Sequence, residues 1–313
     1  MSPETVLVTG GAGFIGSALC HALVAGGRRV IVFDDLSFGR ADLLPAVNGR
    51  CVLLPGDLRA ADRVADVVRE FRPRRVYHLG AIHFIPYCNA HPEDTLEINV
   101  NGTRNVLAAC REFPPDVLVL ASTAAVYPVA EGPITEDEPP APIDVYGRTK
   151  LLAEDLCRAF QGETGVPTVL ARFFNAFGPH ETNPHLVPDI LLQLRTGSDV
   201  LRLGNLEPVR DYVHVTDLVA ALIGLGDGFR GGLDAFNVGS GRGRSVREVV
   251  EAFAAAMGRT LRIVQDPDRL RRTDRPALVS DIAKIARTTG WRPKVAFETG
   301  IAQLLADLGR AGG

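Results

Sequence analysis

Apolar residues in the first half of the chain fall in short unbroken runs, each closed by glycine or a polar cluster. "TVLVT" (5–9), "RVIVFDD" (29–35), "CVLLPGDL" (51–58), "RRVYHLG" (74–80) and "DVLVLAS" (116–122) are such runs. A strand with one wet face alternates apolar and polar residues. These runs do not, which predicts strands buried on both faces, as in a parallel sheet. Between them, stretches such as 14–27, 59–71 and 93–112 carry apolar residues at helical spacing. Strand and helix in alternation predict a doubly wound α/β fold, the Rossmann arrangement.

The rhythm changes after about residue 176. "GPHETNPHLVP" and "LGNLEPVRDYVHV" read as irregular and polar. The expectation is a dinucleotide-binding domain over 1–176 and a smaller, interleaved substrate domain mainly over 177–313. The chain is expected to return to the sheet near 211–240, with "FNVGS" (236–240) as one return and a helix at 246–257 after it. The Pro-rich, acidic "EGPITEDEPPAPID" (131–144) reads as a surface loop that delivers the chain into a helix.

Composition narrows the class of protein. Hydrophobic residues make up 46% of the 313 residues and charged residues 23%, the balance of a globular protein. A net charge of −3 suggests neither a nucleic-acid nor a membrane-surface partner. No basic segment precedes a long apolar run, so a signal peptide and a membrane span are not expected. The 5 cysteines form no CxxC and no metal-ligand spacing. They read as free thiols in a reducing cytoplasm, without a metal.

The candidate chemistry begins at "TGGAGFIG" (9–16), which follows a strand and opens a helix. Gly10, Gly13 and Gly16 would let the backbone turn tightly and approach a pyrophosphate, with Phe14 and Ile15 opening the helix whose N–H groups face the phosphates. Asp34 ends the second strand, eighteen residues after Gly16. A carboxylate there accepts hydrogen bonds from a ribose and repels a 2′-phosphate, which favours NAD over NADP. Asp57, with Leu58, follows the third strand and reads equally as an adenine contact or a helix cap.

"DVYGRTK" (144–150) places Tyr146 one helical turn before Lys150. A phenol titrates near 10, so use as a base near neutrality needs a downward shift of roughly three units. An ammonium on the same helix face is expected to supply part of it. Ser122 and Thr123 follow the fifth strand and offer a hydroxyl to orient a substrate oxygen.

These motifs occur together and in order with "NVNGT" (99–103) and "RDYVHVTD" (210–217), from about residue 5 to "TGWRP" (289–293). The set resembles the extended short-chain dehydrogenase/reductase family, and within it the NAD-dependent nucleotide-sugar epimerases. The resemblance implies Thr123, Tyr146 and Lys150 as catalytic residues, with Lys150 also on the nicotinamide ribose. It implies Leu79, Gly80 and Ala81 along the dinucleotide and Asn99 near it, supporting the site. Asn175, His185 and Leu186 would meet a nucleoside-diphosphate sugar, as would His83, Arg210, Arg271 and Asp274. The implied reaction is C4 epimerisation of a UDP-hexose or UDP-hexuronate. An NAD(P)H-dependent 4-keto-sugar reductase is the alternative. Less favoured are a dehydratase, a decarboxylase and a non-catalytic dinucleotide-binding protein. The family's dehydratases carry a carboxylate beside the catalytic Thr, where this chain has Ala124 and Ala125. The resemblance also implies a homodimer, formed through helices at 93–112 and 144–162.

Overall fold

The computed structural model describes residues 3–47, 49–181, 183–270 and 275–311. Seven parallel strands form the main sheet. From one edge to the other they are Leu233–Val238, Thr168–Phe173, Val117–Thr123, Arg75–His78, Thr5–Thr9, Arg29–Asp34 and Cys51–Pro55. The five strands expected in the first half are all present. Thr168–Phe173 is an additional one, joined to the preceding helix by only three residues, Gly165 to Pro167.

Both faces of this sheet are dry, as the unbroken apolar runs require. In the first strand Val6 and Val8 pack on one side and Leu7 on the other. Val30 and Val32 against Ile31 and Phe33 repeat the division in the second. Helices Phe14–Ala25 and Val215–Gly228 cover the first face. Helices Ala61–Phe71, Gly102–Glu112 and Val145–Thr164 cover the other. The chain runs outward in one direction from Thr5–Thr9 through the second and third strands, then crosses back to Arg75–His78 on the other side. The gap between Thr5–Thr9 and Arg75–His78 is therefore a topological switch point, where the strand ends leave a crevice.

The remainder builds a smaller unit around its own core. Helices Leu186–Leu194, Val246–Met257 and Phe297–Ala311 enclose it, with the parallel strand pair Val200–Leu203 and Arg262–Gln265. A second sheet joins the two parts through Val209–His214, which pairs with Asn175–Phe177, Gly243–Ser245 and Ala277–Ser280. Two expectations change here. "VRDYVH", read from its polar residues as irregular, is a strand because Tyr212 and Val213 are buried and Asp211 meets backbone donors of 240, 241 and 280. The loop 131–144 also contributes Pro133–Ile134, hydrogen-bonded beside Ala277–Ser280. Among the described residues no helix is long and apolar enough to cross a membrane.

One buried histidine ties the crevice together. His78 ends its strand between Thr9 Oγ1, 2.6 Å from Nδ1, and Thr103 Oγ1, 2.9 Å from Nε2. Thr103 donates its own proton to Asn99 O at 2.6 Å, so it accepts from Nε2–H, and Nδ1 accepts from Thr9. That wiring requires a neutral ring, and burial pushes the His78 pKa down to about 3. An unfolded histidine titrates near 6.5, so the unfolded chain takes up this proton first as pH falls. Stability conferred by His78 is complete above about 6.5 and is lost progressively towards pH 3. Denaturation midpoints over this range should fall more steeply for wild type than for His78→Gln.

Candidate active site

The crevice opens into a single cleft of about 1110 Å³. Pockets for one small ligand measure roughly 300–1,000 Å³, so there is room for two ligands end to end. Gly10, Gly13, Phe14, Ile15 and Gly16 line one end of it together with Asp34, Asp57, Leu58, Leu79, Gly80 and Ala81. Gly10 has φ 67°, and a Cβ there would lie 2.6 Å from Gly80 N, so no larger residue fits where the two strand ends meet. Asp34 is fixed by two backbone donors, Ala12 N on Oδ2 and Leu36 N on Oδ1, each at 2.9 Å. Burial raises its pKa and these N–H groups pull it back. A glycine cradle on a helix start, followed by a held carboxylate, fits the pyrophosphate and adenosine ribose of NAD. Asp57 both borders the cleft and closes a local turn, accepting Arg59 N at 2.8 Å and the Arg59 guanidinium, which holds its carboxyl below the usual range.

The reacting groups stand at the carboxyl end of Val117–Thr123. Asp144 caps helix Val145–Thr164 by accepting from Gly147 N at 2.7 Å, which fixes where the helix begins and so where Tyr146 and Lys150 stand. Thr123 Oγ1 accepts from Ala125 N at 3.1 Å and stands close enough to the Tyr146 phenol to pull its pKa down. Lys150 is 3% exposed and donates from Nζ to Ala121 O at 2.9 Å. Burial lowers its pKa to about 8.

Tyr146 departs from expectation. It is reached by solvent from the cleft yet ringed by protein, and that burial raises its pKa, with the Thr123 hydroxyl pulling the other way. Lys150, which gives one of its three hydrogen bonds to Ala121 O, does not reverse the rise. Activation of the phenol therefore needs a further positive charge in the cleft.

Asn99 stands behind the cleft wall, among the residues that support the site. It is 1% exposed and clamps the loop after the fourth strand, accepting Ile82 N at 2.8 Å and donating to Ile82 O at 2.9 Å. It also donates to Thr149 Oγ1 at 3.1 Å, so it ties the cofactor loop to the catalytic helix.

Gly147 lets that helix approach the Thr123 turn. A Cβ there would lie 2.3 Å from Ala125 O. Gly147→Ala should cost about 1–3 kcal/mol of stability by overpacking. It should also lower kcat about 10²-fold by moving Tyr146 away from Thr123. Thermal melts and steady-state rates check both.

Asn175, His83, His185, Leu186 and Arg210, the residues that the resemblance assigns to the substrate, line the same cleft. Arg210 donates from Nη1 to Val209 O at 2.9 Å and to Arg275 O at 2.8 Å. His83 lines the cleft and stays open to solvent, with Asn183 Nδ2 2.6 Å from its Nε2. The protein crowded around its ring, then the charges of His185 and Lys150, push its pKa down, an effect that the water reaching this exposed side chain weakens. Arg271 and Asp274 lie outside the described residues. Glu181 and Arg275 are among the cleft residues that no motif marks. Arg275 donates to Ala125 O at 3.0 Å and Tyr127 O at 3.1 Å, bracing the turn that follows Thr123.

With this geometry in view, similarity to known proteins is informative. The GDP-mannose 4,6-dehydratase family model matches residues 7–304. The chain is 34% identical to the UDP-glucose 4-epimerase of Azospirillum brasilense, over 98% of this chain and 96% of that protein. Its structure superposes on UDP-glucose 4-epimerase of Thermotoga maritima, solved with UDP-glucose, with a TM-score of 0.91 and 28% identity. That match covers 99% of this chain and 100% of the other. For the Thermus thermophilus UDP-glucose 4-epimerase in complex with NAD the TM-score is 0.88 at 33% identity, with 99% and 100% covered. The chain belongs to the extended short-chain dehydrogenase/reductase family, among its nucleotide-sugar epimerases.

Proposed function

We infer that the protein is an NAD-dependent epimerase that inverts C4 of a nucleoside-diphosphate sugar, a UDP-sugar by the relatives it matches. One observation supports this most: Thr123, Tyr146 and buried Lys150 line the same cleft as the glycine cradle and Asp34. Bound NAD supplies a reversible hydride acceptor and, as a cation, the positive charge that Tyr146 lacks. Thr123 would orient the 4-hydroxyl towards Tyr146, and Tyr146 would take its proton. Lys150, anchored on Ala121 O, would hold the cofactor ribose and balance the charge of the phenolate. A 4-keto sugar that rotates between its two faces then receives hydrogen on the other side, and Tyr146 returns the proton.

Water elimination requires a carboxylic acid beside the threonine. Ala124 and Ala125 occupy those places, so the dehydratase name of the family model is not carried over. Asp34 disfavours NADPH and with it the reductase reading that depends on NADPH. The test is interconversion of UDP-glucose and UDP-galactose by protein carrying NAD. Retention of a C4 deuterium label in the product is expected. Its loss to solvent, a stoichiometric need for NADPH, or a 6-deoxy product would overturn the reading.

A homodimer in the cytoplasm accompanies this proposal. Leu96 and Leu152 are 42% and 46% exposed, on two adjacent helical segments, Pro92–Leu96 and Val145–Thr164. An apolar pair of this kind on neighbouring helices suits a four-helix contact with a second copy. Leu152→Glu should shift the mass in light scattering from dimer to monomer.

A further inference from the structure

Glu181 is a buried carboxylate that neither the motifs nor the catalytic steps use. It follows His180, whose φ of 69° turns the chain so that His180 faces solvent and Glu181 faces inward. The Glu181 side chain is 6% exposed and lines the cleft. One oxygen, Oε1, lies 2.7 Å from His185 Nδ1. The other, Oε2, is buried and has no hydrogen-bond partner among the described residues. A carboxylate oxygen left without a donor in a protein interior is costly, so the site is incomplete without a donor from elsewhere. Burial raises the Glu181 pKa while His185 pulls it down.

Its position narrows what that donor is. The His185 and His83 ring centres are 6.1 Å apart, and His83 is close enough to Lys150 to feel its charge. Glu181, His185 and His83 thus form one stretch of the cleft wall. Asp34 and the glycine cradle mark the cofactor's adenosine half elsewhere. His185, its hydrogen-bonded neighbour, is one of the residues the resemblance assigns to the sugar nucleotide, which favours the second ligand as the source of that donor.

We propose that Glu181, oriented by His185, determines specificity by accepting a hydrogen bond from a hydroxyl of a neutral hexose and rejecting a sugar that presents a carboxylate there. This rests on reading the cleft as a nucleotide-sugar site. A hydroxyl satisfies Oε2 directly. A uronate would bring a second anion against a desolvated one, so discrimination arises from repulsion as well as attraction.

The test measures binding as well as turnover, on protein loaded with NAD. Titration calorimetry with UDP-glucose and with UDP-glucuronate is carried out on wild type, E181Q and E181A. Wild type should bind UDP-glucose at least about tenfold more tightly. E181Q, close in shape and uncharged, should shrink that ratio about tenfold, mainly by improved uronate binding, and E181A should shrink it as well. Melting temperature and NAD content show that each variant is folded. Equal binding of the two sugars by wild type overturns the proposal, and so does an unchanged ratio in both variants. The epimerase reading fails separately: if wild type binds UDP-glucose and inverts neither sugar while the ratio still depends on Glu181, the reaction is wrong and the specificity role stands. Binding of neither sugar overturns both.

Discussion

Tyr146→Phe is expected to lower kcat for epimerisation about 10³-fold, within the range of 10²–10⁴ for loss of a positioned acid–base group. The change removes one oxygen and leaves the ring in place. Thr123 keeps its bond from Ala125 N at 3.1 Å, so the turn after the fifth strand survives. Stability and NAD content should therefore be near wild type, which separates this variant from a folding defect. Burial raises the phenol pKa, and Lys150 is held at Ala121 O, so the wild-type rate should depend on the cofactor's charge to reach a phenolate. On the acid side the wild-type rate should rise with pH. The residual rate of Tyr146→Phe should lack that rise. A variant retaining more than a tenth of wild-type kcat would remove Tyr146 from the mechanism.

The largest loss of stability is expected at Arg172. Its guanidinium is 2% exposed and forks onto Glu154, which is fully buried, with Nε to Oε1 at 2.9 Å and Nη2 to Oε2 at 2.7 Å. Ser122 Oγ donates to the same Glu154 Oε1 at 2.5 Å, and Arg172 Nη1 donates to Tyr127 OH at 3.0 Å. Tyr127 in turn donates to Asn237 Oδ1 at 2.7 Å. The network thereby joins the catalytic helix to three strands of the main sheet beneath the site. Arg172→Met strands a buried carboxylate and should cost about 3–5 kcal/mol. Removing both charges is a different experiment. Arg172→Met combined with Glu154→Leu leaves no orphan ion and should recover most of the loss. Urea denaturation of the single and double variants measures this. Equal destabilisation in both would show that packing, and not the uncompensated charge, dominates.

The cofactor half of the cleft was readable because its signals are local. Glycines at 10, 13 and 16 sit between a strand and a helix whose periods are visible within a few residues, and Asp34 ends the next strand. The substrate half depends on contacts between distant segments. Glu181 lies in a polar loop, and nothing in its neighbours reveals that it turns inward. Arg275 reads as a solvated charge until Ala125 and Tyr127 appear beside it. Asn99 was placed near the cofactor by its motif, while its actual partners, Ile82 and Thr149, are 17 and 50 residues away. The pairing of Tyr146 with Lys150 was recognised from spacing. Spacing along a helix carries no information about which carbonyl an ammonium will choose.

Residues Glu97–Asn101 form a π-helical turn between helical segments Pro92–Leu96 and Gly102–Glu112. A π turn holds one residue more than regular helix allows, which rotates all that follows by about 100°. The helix thus runs in two phases. Leu96 lies before the slip and faces outward, whereas Asn99 lies within it and faces the Ile82 loop. Deleting a single residue here would restore a regular helix and bring the two stretches back into one phase. Asn99 would then swing off the loop, or Thr103 off His78, although no atom touching either ligand had been removed.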